Sequence, residues 1–68
     1  MIHKHYLMQL AFDRPKRRTY VYPDGTSEEF APIRKLTVMK TGCHVMSVNN
    51  DKQFIVHPGW RYIVQETL

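Results

Sequence analysis

Sixty-eight residues with ten Lys and Arg against six Asp and Glu give a formal charge of +4 and a pI near 9.5, which describes one small basic domain. The only cysteine, Cys43, rules out an internal disulfide and a cysteine-rich zinc cluster. No apolar stretch approaches the roughly 20 residues of a membrane-spanning helix.

Ordering so short a chain costs about 1.5 kcal/mol per residue, so nearly every large apolar side chain is needed in the core. A lone thiol and the lack of a signal-peptide core after Met1-Ile2-His3-Lys4-His5 point to a cytoplasmic protein.

In chain order, His3 to Phe12 alternates as a strand does. Tyr6, Met8, Leu10 and Phe12 fall on one side and His3, His5, Gln9 and Ala11 on the other, with Leu7 breaking the second set. Asp13-Arg14-Pro15-Lys16 reads as a turn, since Pro presets φ and Asp bonds the bend through its side chain. Arg17 to Tyr22 is rich in β-formers and closes on Pro23-Asp24-Gly25. Two readings follow. Thr26-Ser27-Glu28-Glu29 matches a capping box, giving a short helix near 27–32 that stops at Pro32. Thr26 to Phe30 also suits the returning arm of a hairpin, which is preferred because so short a helix is marginal.

From Leu36 to Glu66, three β-like runs are broken by Thr41-Gly42, Asn49-Asn50-Asp51 and Pro58-Gly59. A loop centred on Asn50-Asp51 sets Val45 opposite Val56, Met46 opposite Ile55 and His44 opposite His57. A turn at Thr41-Gly42 sets Val38 beside Val45 and Leu36 beside Ser47. One face then carries Leu36, Val38, Val45, Phe54 and Val56, with Cys43 at its end. The other carries Met39, His44, Met46, Val48, Ile55 and His57, to which a Pro58-Gly59 turn adds Trp60, Tyr62 and Val64. Both faces are apolar and need cover. The predicted fold is all-β, a single small antiparallel barrel or roll over residues 1–68, with five to seven short strands joined mainly by hairpins. An α+β fold with one short helix near 27–32 is the alternative.

The residues that point to function are basic. Arg14, Lys16, Arg17 and Arg18 run into Tyr20 and Tyr22, where the cations suit phosphates and the phenol rings suit stacking on unpaired bases. Arg34 and Lys35 join them if their segment lies beside the first turn. The expected function is a noncatalytic module for an acidic macromolecule, single-stranded nucleic acid first. The rival is a stand-alone protein-interaction module, an inhibitor or accessory factor of the kind small mobile-element genes encode. It would dock on a protein partner or a second copy through Met39, Met46, Trp60 and Tyr62.

Neither a metal nor a cofactor is expected. His3 and His5 share a strand side and His44 and His57 are predicted neighbours, yet nothing in the sequence joins the two pairs. Cys43 and the adjacent His44 face opposite ways on a strand, so that imidazole cannot take the thiol proton. Ser27 and Ser47 have no evident base, and Glu28 with Glu29 suit solvent and a cap.

Overall fold

The computed structural model describes residues 6–49 and 52–68. Five antiparallel strands form one sheet: β1 (Tyr6–Val21), β2 (Ser27–Met39), β3 (His44–Asn49), β4 (Lys52–Val56) and β5 (Tyr62–Thr67), in the order β4-β3-β2-β1-β5. No ladder joins β4 to β5, so the sheet is open and the predicted barrel is not closed. The helix alternative near 27–32 falls, because those residues lie in β2. Two strands are also far from short, β1 having 16 residues and β2 13.

The first two hairpins share one loop design. Tyr22 and Thr26 close Pro23-Asp24-Gly25, while Met39 and Cys43 close Lys40-Thr41-Gly42. In each, the glycine N–H donates back across the loop, Gly25 to the Tyr22 carbonyl at 3.0 Å and Gly42 to the Met39 carbonyl at 2.9 Å. Both glycines have positive φ, 89° and 93°, which is the left-handed third position this loop requires. Asp24 Oδ1 braces the first loop by accepting from the backbone N–H and the hydroxyl of Thr26.

A three-residue loop in place of a two-residue turn moves the β2–β3 register by one. Val38 therefore faces His44 and Leu36 faces Met46, where Val45 and Ser47 were expected. The β3–β4 hairpin shifts too. Asn49 opposite Lys52 keeps the expected pairing, but an irregularity between Ser47 and Asn49 puts His44 opposite Val56 and Met46 opposite Phe54. His44 and His57 are thus not partners. With a side-chain period of two, each slip moves a strand's apolar set to the other face. The two slips together gather Leu36, Val38, His44, Met46, Val48, Phe54 and Val56 around one core.

The predicted turn at Asp13-Arg14-Pro15-Lys16 is a bulge inside β1. Ala11 pairs with Lys35 and Lys16 with Ile33, so Phe12 to Pro15 lie against the single residue Arg34. A second irregularity sets Ala31 and Pro32, joined by a cis peptide, against Arg17. These bulges bend both long strands, and the topology requires the bend. Pro58-Gly59 does not make a hairpin, because the chain crosses there from the β4 edge to the β5 edge. Val56 is level with Met8 through His44 and Val38, whereas Tyr62 pairs with Val21. Along a straight strand Met8 and Val21 would stand about 40 Å apart. The link from Val56 to Tyr62 reaches at most about 20 Å. Only a sheet folded back on itself accommodates it.

The fold-back seals the core. Tyr20 on the folded-over half meets His44 on β3, with ring centroids 5.6 Å apart, and Trp60 on the crossover meets both, at 6.0 and 5.4 Å. Phe30 reaches Phe54 at 5.1 Å, and Ile33 and Met46 are fully buried between the halves.

Candidate nucleic-acid interface

The basic run of β1 divides by strand alternation. Lys16, Arg18 and Tyr20 share the core side, while Arg17 points to the opposite face. Tyr20 has no exposed surface, so it cannot stack on a base, and Arg18 is buried beside it. The Arg18 Nε–H donates to the Tyr20 hydroxyl at 3.2 Å, and the Arg18 Nη1–H donates to Gln65 Oε1 on β5. The Tyr20 hydroxyl lies 2.8 Å from His44 Nδ1 and 3.6 Å from Met46 Sδ. Burial first, and Arg18 second, hold His44 below its ordinary pKa, which favours the neutral ring. In the Nε2–H tautomer of the neutral imidazole, Nδ1 is an acceptor for the tyrosine proton. Burial likewise pushes the Tyr20 phenol up, partly offset by Arg18. Arg18 and Tyr20 therefore knit three strands from inside.

Arg17 is half-buried and compensated, with Glu29 and Glu66 each 3.7 Å away. The Tyr22 hydroxyl donates to Glu28 Oε1, and that carboxylate raises the phenol pKa. With Asp24 nearby in the loop, this tip is acidic, unlike the other end of the predicted site.

At the bend the balance reverses. Arg14 is exposed, its Nη2–H donating to the Leu68 carbonyl at 3.4 Å. The Lys16 ammonium donates to Thr67 Oγ1 at 2.6 Å and sits 5.8 Å from the Phe12 ring centre. Arg34 lies across from the bulge that carries Arg14, with Lys35 next to it, and both are exposed. The condition for these two to join the basic loop is thus met by the register. Among the described residues of 6–15 and 34–56, Arg14, Arg34, Lys35, Lys40 and Lys52 face only one carboxylate, Asp13. In 16–33 and 57–68, four cations, Lys16, Arg17, Arg18 and Arg61, are matched by Asp24, Glu28, Glu29 and Glu66.

The expected contact set of Met39, Met46, Trp60 and Tyr62 is dispersed. Met46 is fully buried, Trp60 packs on Tyr20 and His44, Met39 is half-buried, and Tyr62 stands half exposed on β5. The Trp60 indole N–H is buried without an acceptor.

The register slip also creates a contact that the expected His44–His57 pairing excludes. His57 falls opposite Cys43, with Nδ1 3.3 Å from Sγ. A correct loop length at Lys40-Thr41-Gly42 does not reveal it; the bulge beside Ser47 does. His3 and His5 lie outside the described residues, and among the described residues no three His, Cys, Asp or Glu side chains gather as metal ligands. No described helix is long and apolar enough to cross a membrane. Comparison with protein-family models, with curated proteins and with solved structures returns no match.

Proposed function

We propose that the protein is a noncatalytic binding module for nucleic acid, held through the phosphate backbone at the β1–β2 bend. The observation that supports this reading is the group Arg14, Arg34 and Lys35 at the bend, all exposed and none of them in an ion pair among the described residues. Cations without internal counter-charges remain available to phosphates, and each phosphate neutralised releases condensed counterions. Stacking has no platform here, since Tyr20 is internal and Tyr22 is tied to Glu28. Backbone contact without strong sequence preference is the mode that follows.

The test is titration of a fluorescent oligonucleotide across a salt series, with the intact chain and an Arg14→Ala, Arg34→Ala, Lys35→Ala variant. The expected result is weaker binding and a logarithmic salt slope shallower by about 0.7 to 0.9 per lost phosphate contact. The fold should persist, because exposed charges contribute little to stability. Equal affinity and slope in the two proteins, or no binding by the intact chain at low salt, would sink the proposal.

A further inference from the structure

The sheet has four open backbone edges among the described residues, and they differ in how they are guarded. The β4 edge carries Lys52, the β5 edge carries Glu66, and residues 27–32 of β2, beyond the end of the β3 ladder at Lys35, carry Glu28, Glu29 and Pro32, features that discourage another strand from adding there. The fourth edge is the first half of β1. Its β2 side is paired, but on the other side the β5 ladder reaches only to Lys16, with one more bond from the Leu68 N–H to the Pro15 carbonyl. Tyr6 to Phe12, the sequence Tyr-Leu-Met-Gln-Leu-Ala-Phe, holds no charge and no proline. This open stretch also exposes Leu7 (68%), Met8 (43%) and Leu10 (41%).

Met8 and Leu10 are on the core side of the sheet, since Leu10 pairs with Leu36 and Met8 with Val38. The apolar face of the core therefore continues across β2 to β1 and, among the described residues, ends there uncovered. A strand added at this edge would extend both the hydrogen-bond ladder and that face.

We propose that the occupant is a second copy of this chain, paired antiparallel through Tyr6–Phe12 about a two-fold axis at Gln9. The run matches itself about that residue. Met8 would face the partner copy's Leu10, Leu7 its Ala11 and Tyr6 its Phe12, apolar against apolar in every pair, with Gln9 amide against Gln9 amide. Cross-strand pairs of this kind are the stabilising unit of a sheet. A two-fold axis admits only registers in which one residue faces its own copy, and centring on Gln9 is the choice that uses the whole charge-free run. For chains of charge +4, an interface without charges avoids placing like charges in contact. Gln9 can keep its present bond, from Nε2 to Thr37 Oγ1 at 3.2 Å. A single added strand pair is smaller than the standard interface of about 800 Å² per partner, so the association is concentration-dependent.

Sedimentation velocity over a concentration series tests the proposal. The mass should rise from 8.1 kDa towards twice that value and stop there. Gln9→Lys places two ammonium groups directly opposite across the axis while altering only an exposed side chain of the monomer, and it should hold the protein monomeric at every concentration. Register is read separately in a Cys43→Ser background. Gln9→Cys should form an intermolecular disulfide under mild oxidation much faster than Met8→Cys, whose two copies would be offset along the ladder. A protein monomeric throughout the series, growth beyond two copies, a dimer that survives Gln9→Lys, or equal cross-linking at the two positions would overturn the inference. Since oligonucleotide binding is not the readout, its outcome is independent of the proposed function.

Discussion

β1 and β2 run through both halves of the molecule, yet the halves end up unlike because of what lies beside β1. Over Lys16–Val21 the neighbour is β5, which supplies Gln65 to Arg18 and Glu66 to Arg17. Charges there are matched, and Tyr20 disappears into the core. Over Tyr6–Phe12 β1 has no second neighbour among the described residues, and Leu7, Met8 and Leu10 stay in solvent. The same pair of strands is an interior element where a third strand covers it and a surface element where none does. Composition along β1 alone does not show the difference, since the charged end is the one that is buried.

The sharpest way to break this contrast is to truncate an aromatic in the covered half. Tyr20→Ala should cost about 3 to 5 kcal/mol, enough to unfold much of the population, because it leaves a cavity and strips Arg18 and His44 of a partner. Tyr20→Phe should cost about 1 to 3 kcal/mol, through those orphaned groups alone. Leu10→Ala in the uncovered half should cost well under either, as the side chain is already partly in solvent. Urea unfolding of dilute protein measures all three, and equal losses for Tyr20→Ala and Leu10→Ala would erase the distinction.

Trp60 sharpens it next. As a ring packed on Tyr20 and His44 it should cost roughly 3 kcal/mol when changed to Ala. Its indole N–H is buried and unbonded, so Trp60→Phe should recover most of the stability by removing an unsatisfied donor. A Phe variant as unstable as the Ala variant would show that the nitrogen has a partner in solution.

The smallest effect is on pH. Unfolded His44 takes up a proton near its ordinary value of about 6.5, while the native ring, held low by burial and Arg18, resists protonation. The unfolded state thus binds more protons as pH falls through this range, and stability declines from about pH 6.5 down to the native pKa. Above that window His44 contributes no slope. The Asp24 carboxyl, lowered by its bonds from Thr26, acts only in the more acidic carboxylate range. Urea midpoints at pH 7.5 and 5.5 should differ in the native protein and converge in a His44→Gln variant; a flat profile in the native protein refutes the assignment.

How much of this was legible depends on the kind of signal. Gly25 and Gly42 marked their loops correctly, because a positive φ is a local demand that the residue type records. Register was not legible, since whether Lys40 belongs to strand or loop changes no local preference, and the irregularity beside Ser47 has no residue signature of its own. Asp13-Arg14-Pro15-Lys16 reads as a turn for sound local reasons. A bulge and a turn use the same residues, and only the partners of Ala11 and Lys16 separate them. The basic loop was half legible. Arg14 is exposed at the bend and Lys16 half-buried there, but sequence did not tell that Arg18 and Tyr20 face inward or that two glutamates answer Arg17.

The crossover at His57–Arg61 also orders events in time. The β1–β2, β2–β3 and β3–β4 ladders join neighbours in the chain, whereas the β1–β5 ladder closes contacts such as Lys16 with Thr67, 51 residues apart. Non-local closure loses chain entropy before it gains contacts, so this step is the slow one. The expected order is therefore the three hairpins first, with β5 docking last onto an arm whose Arg18 and Tyr20 are still exposed. On that order Arg18 and the aromatic core lie open on one growing edge until β5 docks, and the time spent in that state would set how far folding competes with aggregation.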